Sequence, residues 1–320
     1  MLYVNGSLKR IRTIYGDVLS SVEWKAFNVL DLHAIRPSDT FLTIRAWDWI
    51  AKRFVGRLQD RRPLVVQLAD GHLSELNCVR TEDRVSGTRL YRPLLCDLFV
   101  GIDKQAPNCF ATYDQPRVRY VRPAFAKQAV SQPDVGARSG LWALACGRDP
   151  FFFDESQSIV RSTYIRLLRE ASERGKRIVC SIPNTDLWRS IFQITSDVPN
   201  QPFGEVLRLS PPPELVLTTP STVALEATAA GMAVCVIKCW PQDINFPLDI
   251  TWCPDDDLGT AMTRIGALDP RGLAGDLFGA GDLRDVLADI QRAHASLKVD
   301  LREQANRVKM HLAHKVGSLL

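Results

Sequence analysis

Apolar residues recur along this chain in short runs, separated by polar turns and by longer stretches with helical spacing. That pattern predicts buried strands alternating with amphipathic helices. The clearest case lies between Glu214 and Lys238. Leu215 to Leu217 is a short apolar run suited to a strand buried on both faces, and Met232 to Ile237 is a second. Pro220 is expected at the start of the intervening helix, where it forfeits only an N–H that has no intrahelical partner anyway, and Gly231 is expected to stop that helix. Ser221 and Thr222 then fall where first-turn N–H groups, hydroxyls and the helix dipole converge, a geometry that binds anions. The unit reads as βαβ with a polar pocket at its first βα turn, where open α/β sheets take their ligands.

The same alternation extends over most of the chain. Phe41 to Arg45 reads as a strand, Trp47 to Leu58 as an amphipathic helix, and Pro63 to Leu68 as a buried strand ending at Ala69-Asp70-Gly71-His72. Leu98 to Ile102 reads as another core strand. From Arg122 to Gly140 the pattern fades into Pro, Ala, Gln, Ser and Gly, as in a linker. A strand then resumes at Leu141 to Cys146 and runs into Gly147-Arg148-Asp149-Pro150. A helix is expected from Glu155 to Arg174, with Ile159, Tyr164, Leu167, Leu168 and Ala171 on its core face. Arg177 to Ile182 is the next strand and leads into Pro183-Asn184-Thr185-Asp186. The expected organisation is an N-terminal α/β domain over 1–125, a linker over 126–140 and a second α/β domain over 141–282. A basic amphipathic helix over 283–320 is free to pack back on the first domain. The expected fold is α/β, two Rossmann-like domains facing a cleft.

Composition narrows the function without choosing it. At roughly 100–200 residues per domain, 320 residues suit two domains. With 46% hydrophobic and 24% charged residues the chain has an ordinary ordered composition rather than a disordered one. A net charge of +4 fits an anionic substrate or a loose affinity for an anionic membrane surface, and no nucleic-acid partner is expected. The eight cysteines (78, 96, 109, 146, 180, 235, 239, 253) are scattered, several inside apolar strands, as core thiols of a reducing compartment. Only Cys235 and Cys239 are close, at a spacing that matches no usual zinc pattern, so no metal is expected. Asp255-Asp256-Asp257 precedes an expected helix and reads as its cap. His294, His311 and His314 read as solvated. No run has signal-peptide length or the ~20 apolar residues of a spanning helix, so the protein is expected to be cytoplasmic. Lys309, His311, His314 and Lys315 leave room for peripheral contact with an inner membrane.

A resemblance rests on three of these segments: the strand running into Gly147-Arg148, the strand ending at Pro183, and Thr219-Pro-Ser221-Thr222-Val-Ala-Leu-Glu226. Their order resembles the nucleotide-binding half of GT-B glycosyltransferases from bacterial surface-polysaccharide synthesis, with the bacterial sialyltransferase and polysialyltransferase families nearest. Those families carry an acidic-Asp-Gly motif, a His-Pro motif and a Ser-Ser/Thr motif. Here Ala69-Asp70-Gly71 matches the last two residues of the first motif and Ser221-Thr222 matches the third. Ile182-Pro183 stands where the second has His-Pro. Similar Ser/Thr–Glu–Ala–Gly blocks occur in polymerases of the teichoic-acid type and in nucleotide-sugar epimerases, so the resemblance is one of superfamily.

The resemblance implies transfer of a sugar from a nucleotide-activated donor to a glycan or lipid-linked acceptor in capsule or lipopolysaccharide synthesis. It implies no metal and no cofactor beyond the nucleotide-sugar substrate, with CMP-linked donors ahead of others. Asp70 becomes the candidate general base, with His72 as alternative or helper. Ser221 and Thr222 would hold the departing phosphate, Gly147 would let the nucleotide approach the backbone, and Arg148 would pair with its phosphate. Asn184 or Thr185 would help replace the missing histidine, and Glu226 would reach a ribose or sugar hydroxyl. Each has a plainer reading: Ser221, Thr222 and Asn184 as helix caps, Asp70-Gly71 as a turn pair, Gly147-Arg148 as a strand exit, and Glu226 as a salt-bridge partner. Two other functions stay open, a nucleotide-sugar epimerase and a catalytically inactive GT-B-like partner of a polysaccharide synthase.

Overall fold

A computed structural model describes residues 1–44, 54, 62–71, 96–104, 117–128, 139–146, 154–182, 198–238, 248–294 and 297–298. They divide into two compact units. One holds the described residues from Met1 to Ala124 and from Phe278 onward, and the other those from Phe125 to Leu277. The helix expected over Trp47 to Leu58 lies outside the described residues, save Phe54.

The first unit is built on β1 (Leu2–Asn5), β2 (Trp24–Ala26), β3 (Thr40–Thr43), β4 (Leu64–Leu68), β5 (Leu98–Gly101) and β6 (Val118–Tyr120), in the spatial order β2-β1-β3-β4-β5-β6. Every pairing is parallel. After β1 the chain enters α1 (Leu8–Tyr15), where the Ser7 hydroxyl accepts from the Arg10 N–H and Gly16, at φ +80°, closes the helix. Ile11, Ile14 and Tyr15 are buried at helical spacing. One face of the sheet is aromatic. Tyr3, Phe41, Val65 and Phe99 share a cluster with Phe54, and Phe41 meets Phe27 edge-on at 5.1 Å between ring centres. At the entry to β4 the wholly buried Arg62 forms a two-pronged pair with Asp97, which also accepts from the Val65 N–H.

The returning C-terminal chain is stitched to the same sheet: the Arg122 N–H donates to the Gly281 carbonyl, and Phe278 bridges Asp103. Gly279 lies so close to Tyr120 that an added Cβ would fall 2.1 Å from its carbonyl oxygen. The C-terminal helix spans Leu283–Ala293, opens on a capping box between Asp282 and Asp285, and buries Leu283, Leu287 and Ile290. Beyond it Leu297 and Lys298 lie in a turn. His294, expected to be solvated, is part-buried, its Nε2 2.9 Å from the Asp39 carbonyl, while Lys298 Nζ donates to the Pro37 carbonyl. Lys309, His311, His314 and Lys315 lie outside the described residues.

The second unit begins within α2 (Ala124–Gln128), at Phe125, at the head of the segment read as linker. It contains β7 (Leu141–Ala145), α3 (Asp154–Glu173), β8 (Arg177–Ser181), α4 (Phe203–Val206), β9 (Leu215–Thr218), α5 (Thr222–Ala229), β10 (Val234–Ile237), β11 (Thr251–Trp252), α6 (Leu258–Gly266) and α7 (Pro270–Leu277). The parallel sheet runs β11-β10-β9-β7-β8. Trp142, Leu144, Leu215, Leu217, Cys235 and Ile237 pack on α3 and α6, and α5 packs beside α7. Covered on both faces, these strands read as continuous apolar runs. The core stripe of α3 is Val160, Tyr164, Leu167 and Ala171, whereas Ile159, expected on it, is 39% exposed. The Tyr164 hydroxyl donates to the Ala145 carbonyl, the end of β7. As expected, Asp257 caps α6, its Oδ2 accepting from the Thr260 N–H at 2.6 Å. No described helix is long and apolar enough to cross a membrane.

Glu214 ties the entry edge of this sheet together. Its carboxylate accepts from the Gly140 N–H and Trp142 Nε1–H and pairs with Lys176 Nζ at 2.5 Å. Partial burial pushes its pKa up, but the hydrogen bonds from Lys176, Gly140 and Trp142 outweigh that and hold it below the ordinary 4.5. A depressed folded-state pKa contributes stability that is complete above about pH 4.5 and is lost as pH falls through the folded value. Glu214→Gln should therefore cost about 1–3 kcal/mol at neutral pH and flatten the acid limb of stability, read by urea unfolding at several pH values.

Candidate functional site

In the second unit the chain passes from β7 to β8 on one side and later places β9 on the other side of β7. That reversal opens a crevice at the carboxyl ends of the strands, the place where open α/β sheets take ligands. A cavity of about 340 Å³ lies there, lined by Cys146 after β7, Ser181 and Ile182 at the end of β8, Asn200, Gln201, Pro202, and Val223 in the first turn of α5. The Thr219 hydroxyl donates to Cys146 Sγ at 3.6 Å, joining the ends of β9 and β7.

Ile182 is 8% exposed and forms part of the cavity wall. Polar groups reach this spot from a later segment. Asn200 Oδ1 accepts from the Ile182 N–H at 3.0 Å, and Asn200 Nδ2 donates to the Ile182 carbonyl at 3.3 Å. The Cys180 N–H donates to the Pro199 carbonyl and the Gln201 N–H to the Cys180 carbonyl, so 199–201 runs beside the end of β8. Sequence reasoning missed Asn200 and Gln201, because Pro199-Asn-Gln-Pro202 reads only as a turn between elements.

The start of α5 differs from expectation by two residues. Thr222 is its first residue, Ser221 its N-cap, and Pro220 precedes both. Ser221 is extended and its side chain makes no capping bond. Because the Thr218 hydroxyl donates to the Thr219 carbonyl, the Ser221 hydroxyl is the donor in its 3.3 Å contact with Thr218 Oγ1. The first turn of α5 carries no acidic side chain, so its dipole is not neutralised there. Glu226 is half-buried one turn beyond Thr222. Gly231, at φ +77°, ends the helix as expected, with its N–H on the Thr228 carbonyl. Burial pushes the Cys180 and Cys235 thiols up to about 12, which keeps them neutral core groups.

Asp70 belongs to the first unit, directly after β4. Arg10 holds it at two points, Nε to Asp70 Oδ1 at 2.7 Å and Nη2 to the Asp70 carbonyl at 2.9 Å. The Tyr15 hydroxyl donates to the Ala69 carbonyl at 2.8 Å, with the Val100 carbonyl 3.2 Å away. Thus α1 fastens the turn that carries Asp70, whose side chain stays 57% exposed. Arg10 and Tyr15 were not anticipated. The signal was there in the apolar run Leu2-Tyr-Val4, the turn Asn5-Gly6-Ser7 and the helical spacing of Ile11 and Ile14. His72, Gly147, Arg148, Asn184 and Thr185 lie outside the described residues. The structure thus brings Ser221 and Thr222 to the edge that holds the cavity, and gives Asp70 a fixed setting in its own unit.

The two supports of Asp70 differ in burial, and their removal should differ in cost. Tyr15→Phe deletes a buried hydroxyl and should lower stability by about 1–2 kcal/mol, whereas Arg10→Ala breaks an exposed ion pair and should cost under about 1 kcal/mol. Chemical denaturation of the two variants measures both.

No protein-family model and no curated protein matches this sequence. Solved structures match in fold. The wall teichoic acid polymerase TagF, in a structure soaked with CDPG, superposes with a TM-score of 0.51 at 10% identity, covering 92% of this chain and 88% of that one. MnaA of S. aureus, in a structure with UDP, gives a TM-score of 0.51 at 12% identity, covering 93% of this chain and 98% of that one. At such identities the likeness is one of architecture. The chain therefore carries a GT-B-type α/β fold, two Rossmann-like units each wound on a parallel sheet.

Proposed function

We propose that this protein is a glycosyltransferase that moves a sugar from a nucleotide-activated donor to a hydroxyl of a glycan or lipid-linked acceptor. The observation that carries the reading is the cavity at the strand-order reversal of the second unit, walled by the first turn of α5. A cavity of about 340 Å³ is of ligand-binding size, and its wall is apolar with a few polar groups. The fold shared with TagF soaked with CDPG and with MnaA holding UDP supports the nucleotide part of the reading.

In this reading the donor phosphate rests at the start of α5, on its first-turn N–H groups and the Ser221 and Thr222 hydroxyls. Gln201 and Ser181 face the nucleoside. Transfer forms a bond between the acceptor oxygen and the anomeric carbon and breaks the bond from that carbon to the phosphate oxygen. The acceptor proton passes to Asp70. Arg148, Gly147, Asn184, His72 and Glu226 keep the roles that the resemblance implies. The helix start balances the charge of the leaving phosphate, so the reading requires no metal. CMP-linked donors come first, and the reading extends to surface-glycan synthesis at the inner face of a membrane.

Thermal-shift measurements with CMP, CDP, UDP and GDP test the donor half, since a ligand bound at 100 times its Kd stabilises the folded state by about 2.7 kcal/mol. One of the four should raise the melting temperature, and Ser221→Ala with Thr222→Ala should weaken that rise. Asp70→Asn should leave the rise intact and lower transfer by about 10²–10⁴-fold. Conversion of the nucleotide sugar without any acceptor would instead reveal an epimerase. A protein that responds to no nucleotide would remove the enzyme reading.

A further inference from the structure

None of the described residues that line the cavity of the second unit is charged. Cys146, Ser181, Asn200 and Gln201 supply its polar groups, and Ile182, Pro202 and Val223 its apolar ones. Two of the four polar side chains are already spent. The Asn200 carboxamide serves both backbone groups of Ile182, and Cys146 Sγ accepts from the Thr219 hydroxyl. The Ser181 hydroxyl and the Gln201 carboxamide, on two half-buried residues, make no hydrogen bond among the described residues.

The main chain at Gln201 is held on both sides. Its N–H donates to the Cys180 carbonyl at 2.9 Å, and the next residue, Pro202, is the N-cap of α4, its carbonyl accepting from the Glu205 N–H at 2.8 Å. A fixed backbone that presents an uncommitted carboxamide at a cavity wall suits ligand recognition, because little order is lost when the bond forms. What the cavity can recognise follows from its inventory. A lining without charge suits a neutral group, and Val223 sets the cavity beside the first turn of α5, where an anion is met by the helix start. One hydroxyl and one carboxamide are few for the many hydroxyls of a sugar. A nucleobase asks for less: apolar walls for its two flat faces and a partner for one edge of adjacent donors and acceptors. A carboxamide, with an acceptor oxygen beside a donor nitrogen, matches such an edge at two points.

We propose that Gln201 determines which base this cavity takes: its carboxamide pairs with the edge of the donor's nucleobase, Ile182, Pro202 and Val223 lie against the faces, and Ser181 gives one further bond. That the ligand is a nucleotide rests on the transferase reading, whereas the choice of Gln201 rests on the cavity. Base recognition and phosphate binding are then separate, Gln201 standing beside the end of β8 and Ser221 and Thr222 at the start of α5. Base selectivity changes without phosphate affinity.

Calorimetric titration of the full chain with CDP, UDP, GDP and inorganic pyrophosphate tests the proposal. Gln201→Met keeps the length of the side chain and lacks the amide, with Gln201→Ala in its place should methionine not pack. It should weaken the tightest-bound of the three nucleotides by about 10–100-fold. Pyrophosphate, which has no base, should bind parent and variant alike. Gln201→Glu puts two acceptors where an acceptor and a donor stood. Guanine presents two donors side by side on one edge, and neither cytosine nor uracil does, so the ratio of GDP to CDP affinity should rise by about tenfold or more. The added charge repels both nucleotides alike and leaves that ratio unmoved. Nucleotide affinities within about twofold of the parent in Gln201→Met, an equal loss of pyrophosphate and nucleotide in that variant, or an unchanged ratio in Gln201→Glu would each overturn this inference and leave the transferase reading in place. A parent that binds none of the three nucleotides would overturn both.

Discussion

Parallel pairing is the constraint on which everything else in this molecule depends. A parallel strand cannot be joined to its neighbour by a tight turn, so each strand end must launch a crossover that returns to the opposite edge. All carboxyl ends of a sheet then collect on one side, and every chemically useful side chain that follows a strand is delivered there. In the second unit this rule brings Cys146, Ser181 and Val223 to one cavity although they are scattered over the sequence. In the first it brings the Asn5-Gly6-Ser7 turn and Asp70 to one edge. The strand order also reverses in the same way in both units, with the first strand lying between the second and the third.

Burial on both faces makes the polar residues that remain inside informative. The strands are apolar for most of their length and turn polar at the carboxyl end: Leu-Tyr-Val-Asn5, Thr-Phe-Leu-Thr43, Leu-Val-Leu-Thr218. Some of these groups are spent internally. The Thr218 hydroxyl serves the Thr219 carbonyl, and Asn200 satisfies both backbone groups of Ile182. Elsewhere the two-pronged Arg62–Asp97 pair and the three-point grip on Glu214 hold the entry edges of the sheets. The entry edges are locked, and the described cavity lies at the exit edge of the second sheet, the arrangement common to ligand-binding α/β units.

Much of this was legible in the sequence where a periodic signal was long. The 214–238 unit, with its two strands, helix and closing Gly231, and the helix after β7 fall within two residues of expectation. Shorter signals failed for identifiable reasons. β1 spans four residues from Leu2, too few for alternation to show, and with it went α1, Arg10 and Tyr15. Ile159 shares the helical spacing of the core stripe but lies beyond its edge, and Val160 takes the buried position. Pro220 tolerates a place just outside a helix as well as one in its first turn, so it did not fix where α5 begins. Spatial order was not readable at all. Asn200 reaches Ile182 through a turn with no periodicity, so no pattern in the sequence announces that a later amide serves the end of β8.

Chemical-shift mapping of backbone amides shows whether the carboxyl edge of the second sheet binds the nucleotide, as proposed. Titration with the nucleotide that raises the melting temperature should perturb Cys146, Ser181, Gln201, Thr222 and Val223 together, with little change at the entry edge around Gly140 and Glu214. Perturbations centred on the entry edge, or spread evenly with none at the start of α5, would rule out a nucleotide site at the carboxyl edge.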